Sequence, residues 1–284
     1  MNHIQKYLDR FHISAEQISD VPESFSSTVY KIVLQGGQTV YLKIPFSRDK
    51  LERELEMLQV LRGYVPVPAV LDQWEGDEDI AGALLLEAIE GEPCTRGMDA
   101  ELAFQIGRHH AMLHNAPVPK EYPCFDPKAW REMVREKFEH FGLHASKVLP
   151  ESLLEMSQMY FYKSLQEMPA PDGPCIIHMD FRPGNILVKE NKVAGIIDFE
   201  SARAGSPEMD FSKINRDVWE RHEGAREAYI KGYETIRPMI DLDSILPFYK
   251  FFDAFCSVGW GQKRGADKHR KFIRENELLL ASLL

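Results

Sequence analysis

His178-Met179-Asp180-Phe181-Arg182-Pro183-Gly184-Asn185-Ile186-Leu187-Val188-Lys189-Glu190-Asn191-Lys192-Val193-Ala194-Gly195-Ile196-Ile197-Asp198-Phe199-Glu200 is the stretch on which the reading of this chain turns. Three polar side chains, His178, Asp180 and Asn185, stand at fixed spacing ahead of two apolar runs at 186–188 and 193–197. Runs of this length, split by a polar turn at Lys189-Glu190-Asn191-Lys192, read as paired strands. Asp198 follows the second run directly. The strand pair folds the chain back, so Asn185 and Asp198 are expected to reach one place. A single dipeptide from this stretch says little, but the ordered set with an apolar strand before the second aspartate is specific.

Working outward, residues 175–177 form a third short strand before the stretch, and helical character resumes after Asp210 and runs to the end. Upstream, 100–114, 128–141 and 153–165 are amphipathic at helical spacing. Strand patterns dominate before residue 90. Residues 29–34 and 39–44 flank Gln35-Gly36-Gly37-Gln38 and predict a β-hairpin. Further strands are expected at 69–74 and 83–88, joined by the acidic turn Glu75-Gly76-Asp77-Glu78-Asp79. A helix is predicted over 47–61, with Leu51, Leu55, Leu58 and Leu61 in phase and Ser47 as N-cap. The first twenty residues read as helical, with Ile4, Tyr7, Leu8 and Phe11 on one face. The chain is therefore expected to be α+β and two-lobed, divided near residue 90.

The chemistry follows from the residue types. His178 to Asn185 fits H-x-D-x-x-x-x-N, the pattern of a kinase catalytic loop. Phosphoryl transfer needs a carboxylate to take the proton of an oxygen nucleophile, and Asp180 suits that role. The triphosphate needs Mg²⁺, a hard cation with oxygen ligands, and Asn185 and Asp198 supply them. The segment resembles the aminoglycoside phosphotransferase family of small-molecule kinases, whose loop usually reads H-G-D-x-H-P-x-N. Met179 replaces the glycine and Arg182 the histidine, while Asp180, Pro183 and Asn185 are retained. Ile197-Asp198-Phe199-Glu200-Ser201-Ala202 and Gly205-Ser206-Pro207-Glu208-Met209-Asp210 resemble the family's I-D-[FW]-[EG]-x-[AS] and G-[DS]-P-x-x-D elements. The likeness runs from about residue 20 to about residue 215.

The resemblance implies a protein-kinase-like fold, with a small antiparallel-sheet lobe (1–90) for nucleotide and a larger, mainly helical lobe (91–284) for catalysis and acceptor. It implies a kinase that uses ATP or GTP and phosphorylates a small-molecule hydroxyl. Lys43 would anchor the phosphates with Glu54 behind it, although Glu52 and Glu56 compete for that place. Ser26 and Ser27, in a glycine-free Ser24-Phe25-Ser26-Ser27-Thr28 loop, would meet the phosphates. The base would lie near the backbone of Glu87 and Ile89. Arg182 is placed to touch the phosphates or the acceptor. Asp217, Trp219, Glu220 and Asp253 lie where relatives bind acceptors, and an acidic and aromatic mixture suits a cationic or sugar-like compound. Two other readings stay open: a non-catalytic nucleotide-binding module acting through partners, and a protein kinase, although no A-P-E element follows Asp198. His110 and His114 have i, i+4 spacing but no H-E-x-x-H glutamate, and read as structural.

Composition is consistent with this. The 284 residues carry a net charge of −10, which argues against nucleic acid and is compatible with a cationic substrate. Cys94, Cys124, Cys175 and Cys256 form no CxxC pair and read as free thiols in a reducing compartment. No apolar leader follows Met1, and no run approaches the roughly 20 residues that span a bilayer. A cytoplasmic protein without a membrane partner is expected, a monomer by default.

Overall fold

The computed structural model of the chain describes residues 3–21, 27–78, 80–95, 97–119 and 126–284. Helix α1 (His3–Arg10) buries Ile4, Tyr7 and Leu8, with Phe11 just beyond its end. It stops at His12, which takes the left-handed φ of 53° while the Ile13 N–H reaches back to the Leu8 carbonyl at 2.9 Å. That geometry normally recruits glycine. Residues 15–20 are not helical as expected but form an exposed edge strand, β1 (Ala15–Asp20), paired antiparallel with β2 (Ser27–Leu34). Its one large apolar residue, Ile18, leaves no local periodicity to read; the ladder with β2 holds it.

The predicted hairpin is β2 with β3 (Thr39–Pro45). Gly36 and Gly37 in its turn both have positive φ, 107° and 87°, which glycine adopts without steric cost. Helix α2 (Arg48–Leu61) follows, then β4 (Val70–Gly76) and β5 (Ala81–Glu87). The sheet order is β1-β2-β3-β5-β4, antiparallel throughout. Its faces separate by alternation along the strands. Ile32, Val40, Leu42, Ile44 and Ala83 pack on α1. Leu84 and Leu86 join Leu51, Met57, Leu58 and Leu61 of α2 in a core continuous with the second lobe. β3 is central, so Lys43 on its α2 side is buried.

After β5 come β6 (Glu92–Pro93), then α3 (Ala100–His114), α4 (Pro127–Ala145) and α5 (Glu151–Glu167). β7 (Cys175–Ile177) precedes the loop, a 3₁₀ turn at Pro183–Asn185, β8 (Ile186–Lys189) and β9 (Lys192–Ile196). β10 (Arg203–Gly205) pairs with β7, and β6 pairs with β8, tying the inter-lobe link to the loop. The rest is α6 (Glu208–Ile214), a π turn at Asn215–Trp219, α7 (Ala225–Glu234), α8 (Leu242–Lys263) and α9 (Arg270–Leu283). Helices α3 and α7 cross very closely. A Cβ on Gly107 would lie 2.0 Å from the Tyr229 carbonyl oxygen, and one on Gly232 would lie 1.9 Å from that of Phe104. This approach brings Tyr229 and Tyr233 onto His110 and His114. No helix among the described residues is long and apolar enough to cross a membrane. Cys94, Cys175 and Cys256 are free and buried; Cys124 lies outside the described residues.

Candidate active site

Lys43 forms the first node of the site. Its Nζ lies 2.8 Å from Glu54 Oε1, 2.6 Å from Asp198 Oδ1 and 3.7 Å from Glu200 Oε2. Burial opposes its charge, but Glu54, Asp198 and Glu200 outweigh that and raise its pKa, so it stays an ammonium. Helix phase settles which glutamate meets it. Glu54 is 1% exposed, on the stripe of Leu51, Leu58 and Leu61, whereas Glu52 faces solvent. Glu200 is also buried. It accepts from the Ser27 hydroxyl and from Lys50 Nζ. Ser27 is thus turned to a carboxylate, while Ser26 lies outside the described residues. Lys43→Met leaves three clustered carboxylates without their shared cation. It is expected to cost about 3 kcal/mol of stability in chemical denaturation and about a hundredfold in kcat/KM for nucleotide.

The second node is the loop from His178 to Asn185. Asp210, buried on α6, accepts from the backbone N–H of His178 and of Met179, each at 2.6 Å. The same carboxylate accepts from His110 Nε2 and His114 Nε2, both at 3.3 Å. Each ring turns Nδ1 to a tyrosine hydroxyl, Tyr229 for His110 and Tyr233 for His114, the latter at 2.8 Å. With all ring nitrogens engaged, both histidines are built as neutral rings donating from Nε2. His178 Nε2 lies 3.0 Å from the Ile197 carbonyl, and the Asp180 N–H reaches His178 Nδ1 at 3.3 Å. Met179 has φ 69°, which explains the usual glycine there. The two backbone hydrogen bonds accepted by Asp210 hold this turn.

Burial lowers the pKa of His110 to about 3 and lowers that of His114. The folded pKa lies below the unfolded value of 6.5, so the unfolded state takes up protons first. Stability from these rings is complete above pH 6.5 and falls as pH drops below it, by about 1.4 kcal/mol per pH unit for each ring that titrates. Denaturant melts between neutral pH and about pH 5 check this, and phenylalanine at both positions should flatten the profile.

Asp180 itself is held by cations. Burial raises its pKa, but Lys213 and Arg182 outweigh this and lower it to about 2. Arg182 Nε is 3.0 Å from Oδ2, and Lys213 Nζ is 3.3 Å from Oδ1. Asn185 Nδ2 donates to the Asp180 carbonyl at 2.9 Å and to Oδ2 at 3.0 Å, so its amide oxygen is the end left for a ligand. Asp198 gives Oδ1 to Lys43 and keeps Oδ2. The Ile197 N–H bonds the Asn185 carbonyl at 3.0 Å, which joins the two residues' positions. Two hard oxygen donors here fit Mg²⁺.

The other expected residues fall less uniformly. The Glu87 N–H is taken by the Ala69 carbonyl at 2.9 Å. Ile89 packs on Gly195, where a Cβ would lie 2.5 Å from its Cδ1. Asp217 and Asp253 lie on the Asp180 network through Arg216 and Lys213. Glu220 is bonded to Lys250 and Asn215. Trp219 is 8% exposed and packs in the core, stacked on Phe211 and edge-on to Tyr229. Lys213 and the brace at Asp210 were not singled out from sequence. Both sit on α6, downstream of the motif, and meet the loop only in three dimensions.

Solved structures share this architecture. The GDP and kanamycin complex of APH(2")-IIia is 21% identical with a TM-score of 0.75, over 99% of this chain and 97% of that chain. Macrolide 2'-phosphotransferase MphH from Brachybacterium faecium is 16% identical with a TM-score of 0.73, over 99% and 98%. Spectinomycin phosphotransferase APH(9)-Ia, in complex with ADP and spectinomycin, is 15% identical with a TM-score of 0.69, over 98% of each chain. These likenesses show the two-lobed kinase-like fold. No curated protein sequence is significantly similar. The family model described as the phosphotransferase enzyme family matches residues 17–248. With most of its length matched, the chain belongs to the APH phosphotransferase enzyme family.

Proposed function

We propose that this chain transfers the γ-phosphoryl group of ATP or GTP to a hydroxyl of a small molecule. The observation that carries the reading is an ionised Asp180 bonded by Asn185, whose backbone is tied to Ile197, the neighbour of Asp198, and so to Lys43 and Glu54. The acceptor oxygen bonds to the γ-phosphorus as the bridging oxygen bond breaks, and nucleoside diphosphate leaves. The hydroxyl proton passes to Asp180. A carboxylate with a pKa of about 2 is a weak base, which suits a loose transition state where the proton moves late. Mg²⁺ bound by Asn185 and Asp198 would neutralise charge on the phosphates. Lys43 positions those phosphates, and Arg182 stands beside Asp180 where the transferred group passes.

Residues 1–90 form the nucleotide lobe in this reading, and 91–284 carry catalysis and the acceptor. Nucleotide diphosphates in the GDP and ADP complexes of similar folds support the co-substrate class. Buried free cysteines support a reducing, cytoplasmic setting. A pure binding module has no use for Asp180, which disfavours a non-catalytic role. The test is a coupled nucleotide-consumption screen with ATP and with GTP, across aminoglycosides, macrolides, choline-like amines and sugars. Acceptor-dependent, Mg²⁺-dependent diphosphate release is expected. Nucleotide binding without any Mg²⁺-dependent consumption would overturn the reading.

A further inference from the structure

Asp180 stands in a row of alternating charge. Arg182 and Lys213 hold it, and Lys213 also turns to Asp253 at 3.8 Å. Arg216 closes on Asp253 at 3.2 Å and on Asp217 at 3.0 Å, and Arg221 lies 3.9 Å from Asp217. The side chains of Arg182, Asp180, Lys213, Asp253, Arg216 and Asp217 are each 20–35% exposed, so the row is reachable from solvent. Every carboxylate in it is already matched by an internal cation. Glu220 is likewise matched, by Lys250.

One further cation is unmatched. Lys137 on α4 is half-buried, with Nζ 5.6 Å from the centre of the Phe252 ring, and forms no ion pair or hydrogen bond among the described residues. Phe252 directly precedes Asp253 on α8, which places Lys137 beside the row. Burial lowers its pKa, as expected of an ammonium with no counter-ion. The row's cations, Arg182, Lys213, Arg216 and Arg221, with Lys137 beside them, outnumber its carboxylates, Asp180, Asp217 and Asp253, in a chain whose net charge is −10. A polyamine would have to displace Arg216 and Lys213 to use these carboxylates, and would then meet Lys137. An anion meets the surplus directly.

We infer that Lys137, Lys213 and Arg216 form an anion-holding wall of the acceptor site, so that the acceptor is a hydroxyl compound bearing a carboxylate or phosphate group rather than a polyamine. This deepens the kinase reading and rests on it, so the two are tested apart. Mg²⁺-dependent nucleotide hydrolysis without acceptor, compared with Asp180→Asn, reports on the kinase reading alone. The acceptor class is read by calorimetry on the full chain saturated with MgADP, against polyhydroxy acids, sugar phosphates and kanamycin. One anionic set should bind, and the two arms tell carboxylate from phosphate. Lys137→Gln should weaken that binding, and raise acceptor KM, by about tenfold or more, the loss of one charge-assisted hydrogen bond. Lys137→Arg should restore most of it. Lys137 has no ion pair or hydrogen bond among the described residues, so its replacement removes only its contact with the Phe252 ring, which Lys137→Arg keeps. Kanamycin binding more tightly than every anion, no anion binding at millimolar concentration, or unchanged affinity in Lys137→Gln would each overturn the inference.

Discussion

Asp180→Asn is expected to lower kcat for phosphoryl transfer by about a thousandfold or more while nucleotide affinity changes little. Asparagine keeps the shape of the side chain and an oxygen for Arg182 or Lys213, so the loop should stand. What is lost is the negative charge that accepts the hydroxyl proton. The groups assigned to nucleotide, Lys43, Asn185 and Asp198, are untouched. Because Asp180 has a pKa of about 2, wild-type kcat should stay flat on the acid side well below neutrality, until the protein itself loses stability. Steady-state rates with calorimetric nucleotide titration separate the two quantities. Full turnover in the variant would remove Asp180 from the reaction.

Asp210→Ala is expected to cost about 4 kcal/mol of folding stability, a large share of what a domain has. The carboxylate is 1% exposed and accepts two backbone N–H groups and two imidazole N–H groups. Its removal leaves all four donors buried without a partner. Met179 then loses the bond that holds it at φ 69°. Activity should fall with the fold, because His178 and Asp180 hang from the same turn. Asp210→Asn keeps one acceptor oxygen and should lose about half as much. Urea denaturation measures both, and kcat per folded molecule shows whether the loop has moved. Loss of less than about 0.5 kcal/mol in Asp210→Ala would show that the brace carries no load.

The candidate site residues were legible because chemistry fixes their type and the chain fixes their spacing. His178, Asp180, Asn185 and Asp198 lie within one short stretch, and the strands between them brought the last two together as expected. Lys43 was legible from its strand. Choosing Glu54 over Glu52 and Glu56 needed the phase of α2, which the stripe of Leu51, Leu58 and Leu61 already contained. Lys213 was hidden, and Asp210 was legible only as the last residue of the Gly205–Asp210 element and not as a brace, because a charge on an amphipathic helix looks the same whether it faces water or a distant loop. The tie between His110, His114 and the tyrosines depends on the close crossing of α3 and α7, which two glycines permit and no local pattern announces. β1 failed for a related reason: its ladder with β2 outweighed a polar, aperiodic sequence. Trp219 reads as an acceptor-binding aromatic beside acids, yet the π turn places it in the core.

The central claim is that this cleft moves a phosphoryl group with Asp180 as proton acceptor. The most direct measurement follows the γ-phosphate of radiolabelled ATP and GTP with Mg²⁺, in wild type and Asp180→Asn side by side, with an acceptor found by the screens above. The account predicts that label passes to the acceptor in wild type, and that the variant binds the nucleotide but leaves it intact. Equal transfer by both proteins, or intact nucleotide in both despite binding, would contradict it.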